Sequence, residues 1–367
     1  MRRGAHIDAV LASLIAILII SGLFIFASAA LGFLGRGATN VTSVAFNHLV
    51  LGGGVGIVLL ITLCFIDYNQ WRKIAPYIYI TALIATALVF IPHLGMEHGG
   101  GKRWLSLAGM TIQPSEALKI ATVLMAAAYF AAIRGRAATL TYGLLGFLAI
   151  MAGPTLILLL QPDLGTLGII TIATFAVFFA AGARWRDIGL VLCIALLSLG
   201  TLAVFRPYVW DRVAVFINPA QGQQAEGYQL KQSLIAIGSG GLAGRGFGQS
   251  VQKFTYLPEP MGDSIFAVVG EEMGFVGSVI LVLLFLALVL RGYATASSAP
   301  NLFGALAAVG IATYLSSEAF INIAAMLGIA PLTGVPLTFI SQGGSAMLAS
   351  LASAGILLNI SRRRNRR

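Results

Sequence analysis

The sequence predicts an all-α integral membrane protein of about ten spanning helices, and three observations carry that expectation. The first is composition. Of the residues, 58% are hydrophobic and 10% charged, with mean hydropathy +0.91, where a soluble domain carries about 25% charged residues. A chain of 367 residues cannot bury that much apolar surface in its own interior, so lipid must cover the rest. The second is run length. Apolar runs fall near 10–34, 45–66, 74–92, 115–133, 141–160, 165–182, 187–205, 264–290, 302–329 and 340–360. Each approaches the roughly 20 residues that cross a hydrocarbon core. Lipid offers no partner to a bare N–H or C=O, so these runs must be helical. The third is charge asymmetry. With the N-terminus inside, the inner segments hold Arg2, Arg3, Arg72, Lys73, Arg134, Arg136, Arg184, Arg186, Arg291 and the arginine-rich tail 361–367. The short outer loops hold only Arg36, Lys102 and Arg103. That is the positive-inside pattern, and it puts both termini in the cytoplasm.

Taken in order, the run from Val10 to Leu34 follows Met1-Arg2-Arg3 but is too long for a signal-peptide core, so it reads as the first span. Spans five and six are separated only by Gln161-Pro162-Asp163-Leu164. Cys64 and Cys193 sit inside apolar runs and read as small packed hydrophobes, supporting neither a disulfide framework nor a metal cluster. The net charge of +10 reads as anchoring against anionic lipid rather than nucleic-acid binding. The whole chain, 1–367, is one polytopic domain with no visible repeat and no soluble domain. Its unusual segment is the outer loop 206–262, long enough to be functional. Within it Gly238, Gly240, Gly241, Gly244, Gly246 and Gly248 fall in eleven residues, and the apolar stretch 232–238 suits a re-entrant or interfacial segment.

Ionisable groups in or beside spans are costly and are functional candidates by default. Here they are Glu116, Lys119, Asp163, Asp263, Glu271, Glu272 and Glu318, mostly toward the outer half. Glu116 and Lys119 are three apart on one helix face, either a self-contained ion pair or a cation held for an anionic ligand. Asp163 is a turn residue or a site residue. Asp263, just before the eighth span, is a helix cap by position or a functional acid. Trp104 beside Lys102-Arg103 suits the interface. His93 and His98 are too isolated to make a metal site. These residues fit an enzyme acting on a lipid-linked polar substrate, or a transporter.

Four motifs, in order, then resemble one family. They are Lys102-Arg103-Trp104-Leu105 with Gln113-Pro114-Ser115-Glu116-Ala117-Leu118-Lys119; Gln161-Pro162-Asp163-Leu164-Gly165-Thr166; Gly227-Tyr228-Gln229 with Gln232-Ser233 and Tyr256-Leu257-Pro258-Glu259; and Pro331-Leu332-Thr333-Gly334-Val335-Pro336-Leu337 running into Ser341-Gln342-Gly343-Gly344-Ser345. Together they resemble the SEDS proteins (shape, elongation, division and sporulation) across nearly the whole chain. Gly248-Gln249-Ser250-Val251-Gln252-Lys253 resembles the division branch, FtsW, more than the elongation branch, RodA. Two departures stand out. Met261-Gly262 occupy the place where the family commonly has His-Thr, and Gln342 the place of a Tyr.

The resemblance implies a peptidoglycan glycosyltransferase at the outer face of the bacterial plasma membrane, at the septum. Its substrate would be lipid II, the undecaprenyl-pyrophosphate-linked disaccharide-pentapeptide. Its partners would be a class B penicillin-binding protein, other divisome membrane proteins and membrane lipid, with no nucleic acid. A lipid II flippase, a RodA-like elongation polymerase or a scaffold for the penicillin-binding partner are the alternatives. Asp263 is the residue carried over as catalytic, and general-base chemistry suits it. Lys119, Lys102, Arg103 and Arg212 are the cations available to a pyrophosphate leaving group. Trp104, Glu116, Glu259, Gln232, Ser233, Ser341, Gly343, Gly344 and Ser345 complete the expected substrate-binding set. No cofactor is required; a divalent cation, Mg²⁺ or Mn²⁺, is left open because pyrophosphate and carboxylates are hard oxygen ligands.

Overall fold

The computed structural model describes residues 6–35, 45–98, 101–107, 110–217 and 225–363. Arg2, Arg3, Arg36 and the end of the predicted tail, 364–367, lie outside the described residues. Among the described residues, nine helices are long and apolar enough to cross a membrane: α1 (Ala9–Gly35), α2 (Asn47–Phe65), α3 (Tyr68–Phe90), α4 (Pro114–Ile133), α5 (Leu140–Leu160), α7 (Trp185–Phe205), α10 (Ile265–Ser297), α11 (Leu302–Met326) and α12 (Gly344–Arg362). A shorter apolar helix, α6 (Leu164–Ala180), lies between α5 and α7. The protein is a multi-pass membrane protein, and each predicted span is matched by one of these helices.

Helix starts follow local chemistry. Asp8, Asp67, Asp163 and Asn301 each accept a backbone N–H in the first turn of α1, α3, α6 and α11. A short polar side chain there satisfies one of the donors that a helix start leaves open. The bundle is centred on α11, which packs against α10, α6, α4 and α12. α11 and α12 are the most enclosed helices, and α7 is the least.

One end of the bundle is tied by charge. Arg291 near the end of α10 pairs with Asp8 at 2.6 Å. The Asp8 backbone N–H donates to Ser361 near the end of α12, and Arg363 pairs with Asp67 in the α2–α3 turn. The two described chain ends therefore lie on one face, as an even number of crossings requires.

The opposite face carries the polar segments. A three-stranded antiparallel meander precedes α4: β1 (Gly95–His98), β2 (Gly101–Leu107) and β3 (Met110–Ile112). The sequence analysis has no counterpart for it. The segment expected as the long outer loop folds, among its described residues, into α8 (Pro207–Ile217), α9 (Ala225–Ser239) and a helical turn, Gln252–Thr255. The apolar stretch 232–238 belongs to α9.

Two predicted boundaries move. The eighth span runs on to Ser297, and it is broken at Gly274, whose φ of 65° and ψ of −162° are open to glycine and not to a residue with a Cβ. The break is filled from outside. Arg245 and Gly246 N–H groups donate to the Glu271 and Glu272 carbonyls, while Phe275 and Val276 N–H groups donate to Gly241 and Leu242. Backbone polar groups exposed by the break thus find partners in the turn after α9. Because α9 meets α10 near Asp263 at one end and near Gly270 at the other, it runs alongside the first turns of α10. The tenth span begins at Gly344, after an extended segment.

Candidate active site

Asp263 lies in the tight turn just before α10. Glu259, in that turn, has φ +43°, a sparsely populated conformation for a residue with a Cβ. Its carbonyl accepts from the Gly262 and Ser264 N–H groups, and its carboxylate lies over the Gly262 Cα, so two acids face the same small region. Four further residues hold the turn. The Gln229 amide of α9 donates to Asp263 Oδ1 and to Ser264 Oγ, each at 2.9 Å. The Asn322 amide of α11 donates to the Asp263 and Val335 carbonyls, each at 2.8 Å. Ser341 Oγ donates to the Gly262 carbonyl at 2.7 Å, and Gln342 N–H to that of Met261.

The cap reading of Asp263 is corrected by this geometry. Ser264 occupies the N-cap position of α10, and no side chain caps the helix there. The Asp263 carboxylate is instead half-buried and turned to Gln229. Burial raises its pKa to about 6, the Gln229 hydrogen bond opposes that rise, Glu259 adds to it and Arg212 opposes it. Near neutral pH, Asp263 is thus ionised yet close enough in pKa to take a proton. Removing the Gln229 donor removes stabilisation of the charged form. The expected result for Gln229→Leu is a pH–rate profile whose acid limb, rising as Asp263 deprotonates, moves to higher pH. An unmoved limb with lower activity would make Gln229 a packing residue only.

The other expected site residues fall into three places. Arg103 lies on β2 and donates to the Gln161 and Pro162 carbonyls. Gln113 reaches Asp163 Oδ2 at 3.3 Å, and its backbone N–H donates to Ser345 Oγ. Gly165 packs against Thr333 and Val335 so closely that an added Cβ would lie 2.7 Å from Val335 Cγ2. Motifs far apart in sequence therefore meet at one face. Ser341 belongs to the Asp263 turn, while Gly343 and Gly344 begin α12. Lys102, exposed, and Trp104, half-buried, stand on β2, where Lys102 lies opposite Glu97. Arg212 is on α8, facing a cleft with Leu230 and Pro331.

Lys119 and Glu116 are elsewhere. Lys119 is 1% exposed and lies between Glu116 at 2.9 Å and Glu318 of α11 at 2.8 Å. The pairing within α4 is real and has a third member. Glu318 is one turn from Asn322, so this ion triad and the Asp263 turn share the C-terminal half of α11. Ser233 is buried and donates to its own helix at the Gln229 carbonyl; Gln232 follows Lys231 on the more open side of α9. Glu271 and Glu272 form a separate cluster below. Glu271 accepts from Ser250 Oγ at 2.5 Å and from the Val251 and Gln252 N–H groups, and Glu272 pairs with Lys253 at 2.5 Å and accepts from Ser28. These acids pin the Gly-rich turn.

Sequence reasoning passes over Gln229 as a ligand of Asp263 and misses Asn322 entirely. A signal existed for each: Gln229 closes a quoted motif, and Asn322 is a lone amide inside a span. Among the described residues no group of three or more His, Cys, Asp or Glu converges as a protein-only metal cage.

Comparison with known proteins follows these lines. The family described as cell cycle protein, comprising FtsW, RodA and SpoVE, matches residues 8–366. The chain is 36% identical over 313 residues to stage V sporulation protein E of Bacillus subtilis, covering 85% of this chain and 86% of that one. It is 38% identical over 316 residues to the probable peptidoglycan glycosyltransferase FtsW of Geobacter sulfurreducens, covering 86% and 84%. Its fold matches a chain from a peptidoglycan synthase complex, solved to explain how polymerization and crosslinking are coordinated, with TM-score 0.78, 29% identity and 98% of each chain covered. It also matches the rod shape determining protein RodA of Thermus thermophilus, with TM-score 0.70, 27% identity and 98% of each chain. From end to end of its bundle, then, this chain belongs to the FtsW, RodA and SpoVE family, the SEDS proteins that its motifs resemble.

Proposed function

We propose that the protein polymerises lipid II into glycan strands at the outer face of the plasma membrane, as a peptidoglycan glycosyltransferase serving the division septum. The observation that carries this reading is Asp263. It is a half-buried carboxylate, tuned to about 6, held by Gln229 and placed at the end of the bundle that bears the arginines of β2 and α8. The names of the relatives, peptidoglycan glycosyltransferases and a synthase complex, support it.

The chemistry follows from the groups present. An acceptor sugar hydroxyl is a very weak acid. Asp263 takes its proton as the oxygen bonds to the donor anomeric carbon, and the bond from that carbon to the lipid pyrophosphate breaks, the pyrophosphate leaving with the electron pair. A positioned base contributes typically about 10²–10⁴-fold. Negative charge grows on the leaving group, and Arg103, Arg212 and Lys102 are among the cations on that face. Asn322, Gln229 and Ser341 fix the turn so that the carboxylate need not be reorganised during reaction. A Mg²⁺ or Mn²⁺ ion would find Asp263 and Glu259 as its carboxylate oxygens, with substrate phosphates completing its shell. A class B penicillin-binding protein, which would crosslink the product, is the proposed partner, alongside other divisome proteins.

The direct test is polymerisation of purified lipid II by the pure protein in detergent, with and without that partner. Glycan strands support a polymerase. Their absence in both mixtures, with lipid II moved across liposomes instead, would overturn it in favour of a flippase, since detergent has no two sides to cross.

Orientation is tested separately. In a chain lacking Cys193, a cysteine at Tyr256 should react with an impermeant thiol reagent on intact cells, and one at Ser297 should not. The reverse pattern would turn the active face to the cytoplasm and end the outer-face reading.

A further inference from the structure

A cavity of about 350 Å³ lies between α9, the first half of α10 and the end of α11. Its walls include Ile237, Gly238, Phe266, Val279, Val282 and Leu327. The polar wall residue, Ser278, already spends its hydroxyl on the Gly274 carbonyl of its own helix. Water therefore has little to bind there. Open space lies within 4 Å of the Cβ positions of Gly238 and Gly241, so the absent side chains are what leave the cleft empty.

The cleft also lies close to Asp263. Phe266 lies three residues beyond Asp263, in the first turn of α10. Gln229 holds the Asp263 carboxylate, and Ile237, eight residues further along the same helix, is about 12 Å deeper. One helix therefore touches the reacting end and lines the cleft below it. Elsewhere α10 exposes ordinary side chains such as Val276, Ile280 and Leu286.

We infer that this cleft is the seat of an isoprenoid chain: the first units of the polyprenyl tail of the lipid-linked sugar substrate descend into it while the sugar end lies at Asp263. The inference rests on the reading of Asp263 as the reacting end. A polyprenyl substrate must pass from a polar headgroup into hydrocarbon within a few bonds of its pyrophosphate. An apolar, concave cleft one turn below the carboxylate serves that passage. Each methylene that leaves water or loose lipid packing for such a wall gains dispersion contacts, individually small and collectively large. The tail thereby becomes part of substrate recognition rather than a passive anchor.

The experiment fills the cleft. Gly238→Leu places a side chain in open space on a helix, where leucine is a better helix former than glycine, so the fold tolerates it. Val282→Trp fills the cleft from the other wall. Polymerisation is measured with lipid II carrying an undecaprenyl chain and with an analogue carrying a single five-carbon prenyl unit, too short to fill the cleft. The expected result is a KM for the long-chain substrate raised about tenfold, the loss of one or two buried methylenes, with kcat near wild type and the short-chain KM unchanged. An unchanged long-chain KM in both variants would overturn the inference, and so would equal losses for both chains. A second measurement does not depend on turnover. A photo-crosslinking benzoylphenylalanine at Gly238 should capture radiolabelled undecaprenyl pyrophosphate in preference to the same group at Leu286 on the lipid-facing side of α10. Equal capture at both sites, or capture only of a partner's spanning helix, would overturn it. If crosslinking succeeds and the wild-type protein makes no glycan, the cleft stands and the polymerase reading falls.

Discussion

Asp263→Asn is expected to reduce lipid II polymerisation by about 10²–10⁴-fold, the contribution of a general base, while expression, thermal stability and partner binding stay near wild type. The geometry makes this substitution informative. The Asn carbonyl can still accept from Gln229, and the Asn322 and Ser341 bonds go to backbone carbonyls of the turn, which do not change. The helix cap is not at stake, because Ser264 and not Asp263 holds the N-cap position. What is lost is the ionisable group alone. Asp263→Glu keeps the charge and moves it by a methylene, so partial activity at most is expected, since a misplacement of about 1 Å can cost 10²-fold. Near-normal polymerisation by a folded Asn variant would remove Asp263 as the base and turn attention to Glu259, the other acid of the same turn.

The second large effect concerns Lys119. Lys119→Met leaves Glu116 and Glu318 facing each other inside the bundle, each at most 4% exposed, with no cation between them. Breaking a buried ion pair by removing one partner costs about 3–5 kcal/mol, so a marked fall in melting temperature in detergent is expected. The triple change Glu116→Gln, Lys119→Met, Glu318→Gln removes every charge of the triad and should recover most of that stability. Its activity then separates two roles. If activity returns with stability, Lys119 is a structural cation that holds α4 against α11 and thereby the Asn322 contact to Asp263. If the triple variant is stable and inactive, Lys119 acts on the substrate pyrophosphate, the role expected of a cation near the N-terminal end of α4. A stable Lys119→Met single variant would show that the triad carries no structural load.

Sequence alone determined the spans and the order of the motifs, and the reason is physical. Bilayer thickness and the lack of hydrogen-bond partners in lipid impose length and helicity on each apolar run separately, so nothing distant is needed to read them. α1 through α7 follow from hydropathy, and so does α11. The even number of crossings then puts Asp8, Arg291 and Arg363 on one face, which charge distribution also predicts. The meander of β1 to β3 was not legible, because its short strands carry mixed polar and apolar residues and stay together through local pairing rather than a buried face.

Only the tertiary structure decided what each polar residue meets. Glu116 and Lys119 are legible as an i, i+3 pair, but Glu318 is 199 residues from Lys119 and enters through the packing of α11 on α4. Asp263 reads as a cap from its position before an apolar run. It becomes a tuned carboxylate because α9 packs beside α10 and brings Gln229, 34 residues away, to its oxygen. The break at Gly274 is likewise invisible locally. A glycine within an apolar run does not announce a positive φ, and the conformation is affordable only where Gly241 and Leu242 supply the missing partners. Hydropathy is a property of each segment by itself, whereas hydrogen bonding, ion pairing and the shape of a cleft belong to pairs of segments that only the packed bundle brings into contact.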